Sequence, residues 1–168
     1  TYTGNNTNGA TFGHGLNSAP EMVIFKRRDS TSSWAVGHTD LGWDGIVILN
    51  STNAFNTGYN IFNSVAPSSS VVTLGNTGDA NEGTIVAYCF HSVDGFSRIG
   101  SYTGNGSSSD GTFVYTGFRP AFLLLKVTST ADDWIIWDGV RSPENLADNA
   151  LKPNSSDAEV TGNINNSI

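Results

Sequence analysis

The chain has 168 residues, of which 38% are apolar and only 14% charged, so it is long enough for one or two small domains with a core. Fifteen acidic against eight basic residues give a formal net charge of −7. This charge argues against sequence-independent nucleic-acid binding and against adsorption to anionic membranes, because both require a basic face. Asn, Ser, Thr and 19 glycines replace most of the usual Lys and Glu, which is typical of an all-β protein with many turns.

Short runs of strand-forming residues alternate with Gly, Asn, Asp and Ser along the chain. In chain order they predict strands over residues 10–15, 21–27, 33–37, 45–49, 70–74, 84–91, 96–103, 111–116, 121–128, 134–137 and 150–151. Many short strands with turns between them indicate an antiparallel β-sandwich or a barrel. Only residues 142–146, where Ser precedes Pro, resemble the start of a short helix.

The sequence also repeats itself after one hundred positions, counted by residue number. The matched anchors are Tyr2-Thr3-Gly4-Asn5 with Tyr102-Thr103-Gly104-Asn105, Pro20 with Pro120, Lys26 with Lys126, and Trp34 with Trp134. Asn50 matches Asn154, so a few residues have been added in a loop of the second copy. The repeat predicts two tandem copies of one module, a first β-sandwich repeat over residues 1–100 and a second over residues 101–168.

The second copy is truncated, because nothing in the sequence after it corresponds to residues 71–99. A half sandwich leaves an apolar face and a strand edge exposed. Three explanations stay open: the chain is a fragment of a longer repeat protein, another subunit supplies the missing strands, or both copies build one sandwich jointly. Residues 93–102 are neither Pro-rich nor highly charged, and they predict a strand running rigidly from one copy into the next.

Catalytic motifs are poorly supported, so we expect a protein that is not an enzyme. There is no Gly-x-Ser-x-Gly elbow, and His14, His38 and His91 have no evident nucleophile partner. The lone Cys89 lies in an apolar run and is expected to be a small buried hydrophobe. Glycoside hydrolysis needs two carboxylates in one cleft, and the candidates are Asp132, Asp133, Asp138 and Glu144; solvated acids in tight turns explain them better.

Two clusters of charged and polar residues are candidate ligand sites. Asp79, Asn81 and Glu82 place three oxygen-bearing side chains in a Gly-bounded loop, which makes calcium a candidate cofactor, although an acidic turn is the commoner interpretation. Lys26-Arg27-Arg28 is interpreted as a solvated strand end and not as a phosphate site.

Carbohydrate binding has the most support among the candidate sites, because sugars bind to an aromatic platform beside planar polar groups. The candidate residues are Trp43 and Asp44 in the first copy and Trp137, Asp138 and Arg141 in the second. For Trp43 and Trp137, a role in the core is an equally good interpretation. Trp34 and Trp134 are expected to pack over the strands as core or rim anchors.

Two stretches of the chain resemble a repeat found in virion proteins of marine bacteriophages, which are often described as tail-fibre-like. They are residues 90–106, FHSVDGFSRIGSYTGNG, and residues 113–122, FVYTGFRPAF; residues 14–26 and 84–90 are similar too. The resemblance covers most of the chain. It implies a lectin-like antiparallel sandwich of the jelly-roll, concanavalin A or laminin G kind, on the virion surface and therefore extracellular.

These expectations lead to three hypotheses for function. The first is a segment of a phage tail fibre or appendage that adheres to a host-surface glycan or receptor, assembles with other virion subunits and forms a homotrimer. The second is a spacer or decoration repeat that binds no ligand, and the third is a polysaccharide depolymerase. Neither nucleic-acid binding nor membrane insertion is expected.

Overall fold

A computed structural model describes residues 1–107, 110–143 and 148–161. The described residues form an all-β structure whose strands pair antiparallel. The strands are β1 (Tyr2–Asn5), β2 (Thr11–Gly13), β3 (Met22–Arg27), β4 (Trp34–His38), β5 (Gly42–Ile48), β6 (Val71–Thr73), β7 (Glu82–Phe90), β8 (Phe122–Lys126) and β9 (Trp134–Asp138), with one 3₁₀ turn at Thr39–Leu41. In this part of the chain no helix has the length and apolar character that crossing a membrane requires.

Five strands form the main sheet in the order β1-β7-β3-β4-β5. The central strand β3 is apolar on both faces because both faces are covered. Val23 and Phe25 are fully buried on what we call the inner face, whereas Ile24 is buried on the opposite, outer face. The continuous apolar run at residues 22–25 suits a strand that is covered on both faces.

The inner face is covered by the two-stranded sheet β2–β6 and by the segment that contains Ile61 and Phe62. Phe12 of β2 meets Phe25 edge-on, with ring centroids 5.9 Å apart. Packing here is close enough to require glycine: a Cβ on Gly37 would lie 2.2 Å from the Phe62 ring. These two layers are consistent with a β-sandwich.

The hairpin β8–β9 packs on the outer face of the main sheet. Trp134 is only 4% exposed and lies against Ile24, Val36 and Val47. Its indole Nε1 donates a buried hydrogen bond of 2.8 Å to the carbonyl of Ile48. Trp134 is therefore a core anchor, as predicted, and it joins the hairpin to the main sheet.

The hairpins β3–β4 and β8–β9 have the same strand register, and equivalent residues form equivalent hydrogen bonds at their ends. Trp34 lies opposite Lys26, and Trp134 lies opposite Lys126. The backbone N–H of Trp34 donates to the Asn50 side chain at 2.9 Å, as that of Trp134 does to the Asn154 side chain at 2.8 Å. Each lysine also donates 2.7 Å bonds into its own hairpin loop, to Ser32 and Asp132.

Two predicted strands are wrong. Residues 96–103 form no strand; the chain instead turns tightly at residues 93–97, where Val93 and Ser97 form an isolated bridge. The prediction that residues 93–102 run as a strand between the copies fails with it. Residues 111–116 are also irregular, and Phe113 is 86% exposed. The continuous apolar run at residues 123–125 predicts a strand that is buried on both faces, and this prediction is wrong for Leu123, which is 44% exposed.

Strand β1 was not predicted, and its formation has a physical reason. Tyr2–Asn5 forms a strand because it pairs with β7, with Tyr2 opposite Ile85. The segment at residues 102–105 has the same residues but forms no strand, and no strand of the described residues pairs with it. Of the short helix predicted at residues 142–146, residues 144–146 lie outside the described residues.

Candidate functional site

The Trp43 side chain belongs to the core more than to a sugar platform. Its ring meets the Phe62 ring edge-on, with centroids 4.7 Å apart and planes at 70°. It also closes over Gly37, where a Cβ would lie 2.9 Å from the indole. Asp44 is exposed beside it. Trp43 therefore has a role in the core, which was the alternative to its role in sugar binding.

Trp137, Asp138 and Arg141 lie together on the second hairpin, but their polar groups already have protein partners. Asp138 pairs with the Arg141 side chain at 2.8 Å and accepts the backbone N–H groups of Val140 and Arg141. These bonds, the Arg141 N–H foremost, lower the pKa of the Asp138 carboxyl. Arg141 also pairs with Glu159. The exception is the buried Nε1 of Trp137, which has no hydrogen-bond partner among the described residues.

Two of the three predicted calcium residues, Asn81 and Glu82, have structural partners, whereas Asp79 is half-buried. Asn81 is 1% exposed, and its amide donates to the carbonyls of Thr7 and Gly75 at 2.9 and 2.7 Å. Its side-chain oxygen accepts the N–H of Asn5 at 3.2 Å. Glu82 instead forms an ion pair of 3.0 Å with Arg27. The buried Asn81 side chain thus has a bracket role: its hydrogen bonds link the backbone at Asn5, Thr7 and Gly75 around β1.

The remaining catalytic candidates are tied to neighbouring groups. Asp133 pairs with Lys152 and accepts from the Asn154 amide, both at 2.7 Å, and the Lys152 hydrogen bond is the main cause of its lowered pKa. The Nδ1 atoms of His14 and His38 accept backbone N–H groups two residues ahead of them. Within the described residues, no group of three His, Cys, Asp or Glu side chains could hold a metal ion. Glu144 lies outside these residues.

An open groove of about 720 Å³ lies on the outer face of the main sheet, beside the part that the second hairpin covers. Trp34 of β4 and Tyr88 of β7 lie on either side of β3, and their rings stack with centroids 6.5 Å apart and planes at 19°. Tyr88 is 46% exposed and Phe90, two residues on along the same strand face, is 42% exposed. The groove therefore presents an aromatic surface to solvent.

Basic side chains line the same groove. Lys26 and Arg28 are two residues apart and so project from the same face of β3. Arg27 pairs with Asp29 and Glu82 at 2.8 and 3.0 Å, and the Asp29 hydrogen bond is the main reason that the Arg27 pKa is raised. The exposed Arg28 guanidinium forms no ion pair within the described residues. It is free to bind a ligand beside the aromatic rings.

Sequence reasoning missed this groove although it named four of its lining residues. Lys26-Arg27-Arg28 was interpreted as a solvated strand end, and Trp34 as a core or rim anchor. Tyr88 was not singled out, although Tyr88 and Phe90 alternate with the smaller Ala87 and Cys89, a pattern that places two aromatic rings on one strand face. What the sequence does not contain is the pairing of β7 with β3, which brings Tyr88 over to Trp34.

Fold and groove together define an all-β protein of antiparallel sheets with an open aromatic and basic groove on one sheet face. Over residues 1–168 the chain belongs to the family described as a domain of unknown function, DUF7483. No curated protein and no solved structure was found that matches the chain.

Proposed function

We propose that this chain is a segment of a phage virion surface protein, a tail fibre or appendage, that adheres to a host-surface glycan through the groove between Trp34 and Tyr88. The observation that carries the proposal is the stacked pair of the half-buried Trp34 and the exposed Tyr88, beside an Arg28 guanidinium that forms no ion pair within the described residues. Aromatic rings bind the apolar faces of sugar rings, and a guanidinium fork binds paired oxygens. The resemblance to virion proteins supports a location on the virion surface.

The charge of the groove favours an acidic sugar. Lys26, Arg27 and Arg28 outnumber the two carboxylates of Asp29 and Glu82 that pair with Arg27. This local excess of positive charge stands out in a chain whose net charge is −7. A carboxylate or sulfate on the sugar would form a charge-assisted, bidentate bond with Arg28.

The architecture we propose around this site is a jelly-roll-like sandwich built from two tandem copies, residues 1–100 and 101–168. The matched register and end contacts of the β3–β4 and β8–β9 hairpins support it. Tandem copies on a fibre would give avidity, and a homotrimer with other virion subunits would multiply it further.

The test is a glycan array probed with the wild-type chain, Tyr88→Ala and Arg28→Ala. Tyr115→Ala is the matched control, because Tyr115 is 77% exposed but lies outside the groove. We expect both groove variants to lose binding about fivefold or more, as removal of a stacking ring or of a charged bond costs about 1–3 kcal/mol, while the control binds as wild type does. Equal binding by all four folded proteins would refute the site.

A ligand-free spacer is the second candidate, and the burial of Trp134 favours it. This side chain fixes the second hairpin rigidly on the main sheet, as a length-setting repeat would require. No binding to any sugar by a well-folded wild-type chain would favour the spacer over the adhesin.

A further inference from the structure

One edge of the second hairpin is open. Strand β8 pairs with β9, and within the described residues no strand pairs with its other edge. The N–H of Gly139 donates to the carbonyl of Ala121 at 3.0 Å. Because backbone groups alternate sides along an antiparallel strand, the N–H groups of Phe122 and Leu124 then point to the open edge. Such an edge is a template for another strand.

The open edge is bounded and apolar. Beyond its end, the carbonyl of Thr128 accepts the N–H of Phe55 at 2.9 Å, so the available edge is Phe122–Lys126. Phe122 is 58% exposed and Leu123 44% exposed. Charged side chains, Pro or bulges normally protect a free edge, but Phe122–Leu125 has none of these. This edge is thus suited to pairing and not to solvent.

The first hairpin shows which kind of strand covers such an edge. Strand β3 has the register of β8 on its hairpin side, and its other edge is covered by β7, with Val23 opposite Cys89 and Met22 opposite Phe90. Val23 is 0% exposed because the inner layer covers it, whereas Leu123, its counterpart one hundred positions later, is 44% exposed. Strand β7, which pairs with this edge of β3, is uncharged from Gly83 onward and carries apolar side chains on both faces.

We propose that a partner polypeptide adds an extended strand of the β7 type to the open edge of β8, antiparallel and in the register that β7 uses on β3. The partner strand that the β8 edge would bind is an uncharged segment of about six residues with alternating aliphatic and aromatic side chains. Main-chain hydrogen bonds to Phe122 and Leu124 supply affinity, and apolar cross-strand contacts with the exposed Phe122 and Leu123 side chains supply specificity. This inference does not depend on glycan binding.

The register gives a direct test by disulfide trapping. A synthetic peptide with the sequence of Glu82–Phe90 is mixed, in a thiol–disulfide buffer, with the chain carrying Leu123→Cys and Cys89→Ser. The peptide cysteine should lie directly opposite position 123, where antiparallel strands bring Cα atoms within bridging distance. Mass spectrometry then measures the mixed disulfide.

The matched control is Leu125→Cys in the same Cys89→Ser background. Position 125 is two residues, or about 7 Å, further along the strand, which is too far for a bridge in the expected register. We expect at least about tenfold more mixed disulfide at position 123 than at position 125. Adding Phe122→Pro, which removes an edge N–H, should abolish trapping, while Phe122→Ala should largely keep it.

Three outcomes would overturn the proposal. They are equal trapping at positions 123 and 125, no trapping by a chain whose melting curve matches that of Cys89→Ser alone, and insensitivity to Phe122→Pro. Without peptide, a dimer linked through position 123 and prevented by Phe122→Pro would show that a second copy of the chain, not a β7-type partner strand, covers the edge.

Discussion

Replacing Trp134 by Phe should destabilise the protein far more than the same change at Trp34. The two residues occupy equivalent places opposite Lys126 and Lys26, yet only Trp134 is buried and only its indole donates a hydrogen bond within the described residues. The pair therefore isolates the effect of tertiary packing from that of local hairpin structure.

The magnitude follows from two losses. The carbonyl of Ile48 keeps a second donor, the N–H of Ser51 at 3.2 Å, so removal of the indole bond should cost only about 1 kcal/mol. The space left by the smaller ring should add about 1 kcal/mol. A total of about 2 kcal/mol corresponds to a Tm decrease of roughly 4–8 °C for a chain of this length.

Urea denaturation followed by circular dichroism measures the difference. For Trp134→Phe we expect the midpoint to fall with an unchanged m-value, whereas Trp34→Phe should stay within about 0.5 kcal/mol of wild type. Equal destabilisation by both variants would refute the inference that the second hairpin is anchored on the main sheet through Trp134.

Three further predictions concern single side chains. Asn81→Ala should lower the free energy of unfolding by about 2–4 kcal/mol in urea titrations, because three buried bonds are lost, whereas the exposed Asn53→Ala should change it little; similar values for both would contradict the bracket role. Burial raises the pKa of the Cys89 thiol to about 11, so it should react with a thiol reagent at pH 8 much more slowly in the native state than in urea, and equal rates would contradict its burial. The lowered pKa of Asp133 contributes stability above its unfolded pKa of about 3.9 and loses it as the pH falls through the folded value, so Asp133→Asn should flatten the acid limb of a Tm–pH curve; an unchanged limb would contradict the Lys152 pairing.

How much of the fold could be predicted is clearest from the strands. The strands from β2 to β9 all overlap predicted segments, because alternating or continuous apolar runs bounded by Gly and Asn are local signals. Residues 102–105 and β1 show the limit of such signals. Their sequences are identical, Tyr-Thr-Gly-Asn, but only the copy that finds β7 as a partner becomes a strand.

The candidate site was harder to predict than the fold. The four tryptophans were recognised as important, but sequence could not decide which of them face solvent. Trp43 packs against Phe62, Trp134 is buried against the main sheet, and Trp34 reaches the groove where it meets Tyr88. Each assignment depends on contacts between residues that are distant in the sequence.

The sequence by itself determined the β class, the positions of most strands and the matched segments one hundred residues apart, because propensity, turn residues and side-chain alternation act over a few neighbouring residues. Only the tertiary structure decided strand partnership, tryptophan burial and the open edge of β8. A strand needs a hydrogen-bonding partner from elsewhere in the chain, and burial needs a covering layer. Identical segments can therefore differ in structure when only one of them finds that partner.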